Sequence, residues 1–487
     1  VAEAAVAGRR ASYASRIALC LIANYCVLAV LADRSQRSPV AAVVSATIFW
    51  SAMVAFPHGV NRRALFSPRN YIAFLFFFSM VVGPAVMLFG ELLPRLWILS
   101  SATWDTQRVY SYMLPAALLW GAALLTYLVS QRPGRRVSVD PSPVRGEERE
   151  PPADWMLITG MGLILAGVIG LTIATGSVLG AFSLGGKRAA ARAVLGAGTY
   201  RFSGWMEGVP LGAALVWYYV TQRRRMGKVG GALWVALLYV PLFPLYLYTA
   251  GRARALIPLL LLLALYHRYV YRFSAKVLVV ALCVLIPTMS LWALYRAGGR
   301  DVELRGEGVN TVLAADFSRF EVSTVALAGF QESKLGYFWG KTFRTALTYW
   351  VPTLRGRGRV DGTAATAKAL AGTRSWNLPV SYATSLVTES YLNFGVLGIV
   401  LVFAALGRLV AWLDEKAAST RVLMMLLSLG MVLKLPFLVS TSISAGQLVW
   451  AVAFPYAVAW LVRSVLGSTV RKPRMSQAAR RPAVVSG

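Results

Sequence analysis

The sequence predicts an all-α fold, a polytopic transmembrane helical bundle of about twelve spans. Three observations predict it. Of 487 residues, 57% are apolar and only 14% charged, which excludes an ordinary soluble domain. The apolar residues gather in runs of about 17 to 25, the length that crosses hydrocarbon as a helix, because no lipid-facing backbone group there can go without a partner. One long stretch rich in arginine and aromatic residues, 297–383, interrupts the series.

In chain order the runs are 13–32, 39–57, 70–93, 109–130, 154–174, 204–221, 229–249, 255–271, 277–296, 384–413, 422–439 and 448–466. They divide the chain into residues 1–296 with nine spans, a large extracytoplasmic loop at 297–383, three spans within 384–466 and a basic cytoplasmic tail at 467–487. The first run has no convincing small-residue cleavage site and fits a signal anchor. Between the fourth and fifth spans, residues 131–153 carry Pro133, Pro141, Pro143, Pro151 and Pro152 among mixed charges, the composition of a disordered cytoplasmic linker.

A formal charge of +30 would suggest nucleic acid in a soluble protein, but its placement follows topology instead. With the N-terminus cytoplasmic, the inner segments carry Arg62, Arg63, Arg69, Arg223, Arg224, Arg225, Lys228, Arg268, Arg272, Lys416 and Arg421, as the positive-inside rule asks. Lys187, Arg188, Arg192 and Arg201, before the sixth span, run against it. The C-terminus is then cytoplasmic too, and the long loop faces outward. Cys20, Cys26 and Cys283 all fall inside spans, so the loop holds no disulfide.

Within the loop, Val309, Val312, Leu313, Phe317 and Phe320 share a helical face, and Phe343, Leu347, Trp350 and Val351 repeat the period up to Pro352. Both stretches read as amphipathic helices over the membrane mouth, with Lys341, Arg344 and Thr348 among the polar positions of the second. Packing of the loop on the bundle is the competing reading.

Three groups of residues are candidates for chemistry. Arg252 and Arg254 precede Pro258, which is tolerated in a first helical turn, so the eighth span begins close to both. A helix N-terminus with adjacent guanidinium forks suits phosphate, although two arginines snorkelling to headgroups would look the same. The loop adds Arg319, Arg344, Arg355, Arg357, Arg359 and Arg374, which an anionic, lipid-borne substrate or anionic headgroups would explain. Finally, Ser385, Glu389 and Asn393 are spaced by four and form a polar stripe entering the tenth span. Glu389 sits shallow enough to face a water-filled cavity, and an intramembrane carboxylate is either functional or paired with an arginine for structure.

These elements resemble the O-antigen polymerase and oligosaccharide repeat-unit polymerase family. The resemblance rests on Gly251 to Arg254 opening a helix, an Arg-Phe pair in the loop (Arg319, Phe320) and a Tyr-Trp-Val-Pro-x-x-Arg element (Tyr349 to Arg355). Its most specific part is Thr-Glu-x-Tyr-Leu-Asn-Phe-Gly, Thr388 to Gly395. The resemblance implies a GT-C-like inverting glycosyltransferase in a bacterial cytoplasmic membrane. Its substrates would be undecaprenyl-diphosphate-linked oligosaccharides, and its partners a flippase and a chain-length regulator.

In that scheme Arg252, Arg254, Arg319 and Arg355 hold pyrophosphate, Tyr391 and Asn393 contact substrate, and Glu389 orients or deprotonates the acceptor hydroxyl. No Asp-x-Asp pair or Cys/His cluster suggests a metal, and no cofactor is expected. An O-antigen-ligase-like transferase shares the layout. A transporter or flippase of lipid-linked sugars shares the span count, although Lys434 is the clearest deep charge and the others cluster at the outer mouth.

Overall fold

The structure is a computed structural model that describes residues 39–56, 66–89, 106–131, 150–175, 205–243, 252–274, 319–332, 334–348, 385–417, 421–440 and 452–467, with residues 16, 277, 365, 366, 369 and 419. The expected first and ninth spans apart from residues 16 and 277, the 131–153 linker apart from residues 131 and 150–153, the tail beyond Gly467 and all three cysteines lie outside them. The described elements are helices. They begin with α1 (Pro39–Ala55), α2 (Pro68–Phe77), a π-turn (Phe78–Val82), α3 (Gly83–Phe89), α4 (Thr106–Ser111) and α5 (Met113–Ser130). Then come α6 (Asp154–Thr175), α7 (Val209–Arg223), α8 (Lys228–Tyr239) and α9 (Arg252–Tyr269). The loop contributes α10 (Arg319–Glu332) and α11 (Lys341–Thr348), and α12 (Leu386–Ala417), α13 (Val422–Ser440) and α14 (Phe454–Gly467) follow.

Among the described residues, three helices are long and apolar enough to cross a membrane by themselves: Val109–Ser130, Asp154–Ile173 and Leu386–Ala417. Apolar side chains also point outward in stripes. Ile158, Met161, Leu165, Ile169 and Ile173 are exposed along α6, as are Val396, Leu397, Val400 and Leu401 on α12. Contiguous apolar surface of this extent would aggregate in water and is stable against lipid. The chain is a membrane protein.

Two cores form within it. The first joins α1, α2, α3, α5, α10 and α12 around Phe76, Trp120, Phe320 and Phe403. The second joins α6, α7, α8, α9, α13 and α14 around Trp217, Tyr218 and Leu265. Tyr71 of α2 and Met431 of α13 pack against both. Association between helices in lipid depends on close packing, because lipid tails are as apolar as side chains. Glycines supply the approach where α12 crosses α5: a Cβ on Gly407 would lie 2.4 Å from the Tyr127 carbonyl and 2.0 Å from the Ser130 hydroxyl.

One end of the bundle collects ionic contacts. Arg69 pairs with Asp414 at 3.0 Å, Arg223 with Asp154 at 3.0 Å and Arg463 with Glu150 at 2.9 Å. Glu150 also accepts the Val422 N–H, and Arg268 donates to the carbonyls of Ala417 and Ser419. The segments that charge distribution groups as inner loops therefore do meet at one end. Both α9 and α12 finish there, so Arg252 and Leu386 start from the opposite side.

The first amphipathic stretch expected in the loop, Val309 to Phe320, lies outside the described residues except at its end. The loop helix that is described there, α10, is buried at every position from Phe320 to Phe330, including Glu321, Ser323 and Thr324. It packs on α3, α4, α5 and α12. With 14 residues it rises only about 21 Å, too short and too polar to span. This helix thus packs into the bundle, and Phe338, Ala365 and Ala369 join the same core. The buried face of α11 is Thr342, Thr345 and Ala346, with Phe343 half-buried beside it, where the sequence suggests an apolar seam. Trp350 and Val351 lie outside the described residues.

A Gly407→Val substitution tests the crossing. It must separate α5 from α12, since one of the atoms it meets is backbone, and should cost about 1–3 kcal/mol or prevent folding. Gly162→Val, at a site with nothing within 4 Å, should leave thermal stability in detergent unchanged.

Candidate functional site

The polar stripe of the tenth span is present, and it is sealed. Ser385, Glu389, Ser390 and Asn393 are all 0% exposed and Thr388 5%. A carboxylate so enclosed keeps its charge only when it is paired or hydrogen-bonded. In place of the cavity expected before Glu389 lies a small recess between α5, α10 and α12, with room for about one water molecule, lined by Trp120, Ser323, Leu327, Thr388 and Tyr391 among others, with Glu389 not on its wall.

One wall of this recess is a chain of hydroxyls joining the loop helix to the stripe. Ser385 Oγ lies 2.7 Å from Thr388 Oγ1, which donates to Ser323 Oγ at 2.7 Å. Ser323 in turn donates to the Arg319 carbonyl at 2.8 Å and accepts the Trp120 indole N–H at 3.2 Å. The Thr388 amide donates to Ser385 Oγ at 3.0 Å. One proton order satisfies the chain: Ser385 to Thr388, Thr388 to Ser323, Ser323 to Arg319 C=O. Every hydroxyl hydrogen then has an acceptor, as buried polar groups require. Arg319 is thereby held one turn from Ser323, and Glu389 one turn from Ser385, on two helices that run side by side in the same direction.

The motif Thr388 to Gly395 also contains a break. Phe394 (φ −141°, ψ 17°) and Gly395 (φ 63°, ψ −148°) leave helical geometry inside α12. The latter conformation is essentially a glycine one. A broken helix leaves carbonyls that need donors. Phe338 N–H donates to the Leu392 carbonyl at 2.9 Å and Trp339 N–H to that of Asn393 at 3.2 Å. The Asn393 amide nitrogen donates to the Glu389 carbonyl at 2.7 Å and to Thr342 Oγ1 at 2.8 Å. Gly398 completes the bend, since a Cβ there would lie 2.4 Å from the Ser390 carbonyl. The Asn393 amide nitrogen therefore closes the half-helix.

Tyr391 is half-buried beside the recess and its hydroxyl accepts from Gln331 Nε2 at 3.3 Å. Arg252 and Arg254 open α9 as expected, but α9 packs on α7, α8 and α13, in the second half of the bundle. Pro258 sits inside that helix rather than in its first turn, and has no N–H to offer the Arg254 carbonyl. Arg355 lies outside the described residues. The structure thus brings Arg319, Glu389, Tyr391 and Asn393 onto one pair of helices and leaves Arg252 and Arg254 on the other half. Sequence reasoning missed Trp120, Ser323 and Thr342. Ser323 follows Arg319 by four residues, a spacing that could have been read, whereas Trp120 and Thr342 carry no local signal.

A model of the family described as O-antigen polysaccharide polymerase Wzy matches residues 224–468, half of the chain. No curated protein and no solved structure matches it. The matched region takes in α8 to α14, and with them the broken helix. Gly395→Ala tests that break: it should cost about 1–3 kcal/mol of stability. Hydrogen exchange should show the Phe338 and Trp339 amides losing protection, and undiminished protection of both would contradict the assignment.

Proposed function

Because this chain belongs to the O-antigen polysaccharide polymerase family, whose members join oligosaccharide repeat units into polysaccharide, we propose that it polymerises undecaprenyl-diphosphate-linked units. Polymerisation takes place at the outer face of a bacterial cytoplasmic membrane. The observation that supports the reading is the pairing of α10 with the half-helix of α12, in which Ser323, one turn past Arg319, accepts a hydrogen bond from Thr388, the residue before Glu389. The ion-paired end of the bundle is cytoplasmic, and the opposite end, with Leu386 and the loop helices, faces outward. About twelve spans in a GT-C-like arrangement complete the topology.

Polymerisation moves the growing glycan from its lipid diphosphate to the non-reducing end of the next unit. A C–O bond forms at the anomeric carbon, with inversion, as the bond to diphosphate breaks. The acceptor hydroxyl loses its proton to Glu389 or along a hydrogen bond that Glu389 directs. Charge builds on the departing diphosphate. Arg319 meets it from the first half of the bundle, and Arg252, Arg254 and Arg355 meet it from the second half and the loop, without calling on a metal. Burial of Glu389 fits this task, since a carboxylate shut from bulk water acts on a hydroxyl only when substrate opens or fills its surroundings.

In a strain lacking the gene, single lipid-linked repeat units should accumulate; long lipid-linked polymer would instead indicate a ligase. Purified protein should turn over in detergent, where a flippase has no compartments to serve. Glu389→Gln, Arg319→Ala and Arg252→Ala should each lower polymer formation by about 10² to 10³ at matched protein levels. Full polymer length in all three would remove these residues from the reaction.

A further inference from the structure

Just past the hydroxyl latch, the segment 334–340 holds its backbone in an unusual shape. Lys334 (φ 47°) and Trp339 (φ 49°) are left-handed without being glycine. A bulky aromatic in that region is an outlier that surrounding contacts must enforce. Here they do, because the Phe338 and Trp339 amides are tied to the last carbonyls of the half-helix that carries Glu389. The outcome is a tryptophan held out from the surface, 73% exposed.

Trp339 is one of a set. Tyr337 lies 6.1 Å from it and 6.3 Å from Tyr391, and Phe394 lies 6.4 Å from Trp339, all edge to face. Phe330 backs Tyr337 at 5.4 Å. Tyr337 and Phe394 are themselves exposed, and Gln331, Lys334, Lys341 and Arg344 form a polar rim. Partial burial and the nearby Tyr391 raise the pKa of Tyr337, which therefore remains a neutral phenol able to donate.

We propose that Trp339, Tyr337 and Tyr391 form a saccharide-stacking platform that seats a sugar of the repeat unit beside the Glu389 half-helix. The assignment rests on the polymerase reading and names the part of the substrate this surface takes. A pyranose has a flat C–H face, slightly positive, and a rim of hydroxyls. Aromatic faces are negative and attract the first, while phenol, indole and amide groups at their edges bond the second. Lipid is met differently in this chain. Immediately beyond the break, α12 turns aliphatic side chains outward, Val396, Leu397, Val400 and Leu401, with no polar group among them. The platform alternates aromatic and polar groups instead. The recess behind it has room for only about one water molecule, far below the roughly 300 Å³ at which ligand pockets begin, so a sugar sits on the rings rather than behind them.

The test uses the full chain in nanodiscs of phosphatidylethanolamine and phosphatidylglycerol. The probe is the water-soluble oligosaccharide released by mild acid from the producing strain's own lipid-linked precursor. Trp339→Ala and Tyr337→Ala should each weaken binding by about tenfold, and Trp339→Phe should stay within about threefold of the parent. In turnover, Trp339→Ala should raise KM with little change in kcat. Equal binding by Trp339→Ala and the parent chain would overturn the platform. So would a bilayer covering it, read as strong quenching of the Trp339 signal, the parent minus Trp339→Phe difference, by brominated lipid. If the parent gene restores polymer to the deletion strain while Trp339→Ala binds normally, the platform alone fails. If the parent gene restores none, the polymerase reading fails whatever Trp339 does.

Discussion

A chain of three hydroxyls, Ser323, Thr388 and Ser385, is the contact on which the arrangement of this protein depends. In a bilayer there is no hydrophobic force to pull one helix onto another, so a polar helix enters a bundle only where its polar groups are answered. α10 carries Glu321, Ser323 and Thr324 and is buried along nearly its whole length. The Trp120 indole, the Arg319 carbonyl and the two α12 hydroxyls answer Ser323, and Phe320 and Phe330 complete the fit in the first core. Without those partners the helix has no reason to sit inside, and Arg319 has no fixed place relative to Glu389.

The break at Phe394 and Gly395 extends the same constraint outward. It ends the half-helix early, and the carbonyls so released take the amides of Phe338 and Trp339. Asn393 then ties the half-helix to α11 through Thr342. One local irregularity therefore fixes two further pieces of the loop, α11 and the aromatic turn before it. Asn393 and Gly395 of the Thr388 to Gly395 motif, with Gly398 just beyond it, build the bend.

What the sequence made legible follows physical range. Hydropathy located the three long apolar helices, Val109–Ser130, Asp154–Ile173 and Leu386–Ala417, and charge the grouping of Arg69, Arg223 and Arg268 at one end, because both depend on local composition. The polar stripe at Ser385, Glu389 and Asn393 was visible as a spacing of four. The burial of α10 was not, since a helix surrounded on every side shows no period, and Phe320 was assigned to an amphipathic face. Nor was the break, because Phe394 and Gly395 sit in an apolar run whose continuity hides a change of backbone. Pro258 misled by position: the helix starts at Arg252, three residues before the expected start at 255, which leaves the proline past its first turn. The fit of Trp120 to Ser323 joins residues 203 apart, and no window on the sequence contains both.

The central claim is that the long loop delivers a helix into the bundle and latches it to the Glu389 half-helix. Cysteines at Ser323 and Ser385, whose hydroxyls lie 3.0 Å apart, test it directly in a chain with Cys20, Cys26 and Cys283 replaced. Mild oxidation of folded protein in membranes should join the pair almost completely, because the separation suits a disulfide. Failure of the pair to cross-link in folded protein would contradict the account.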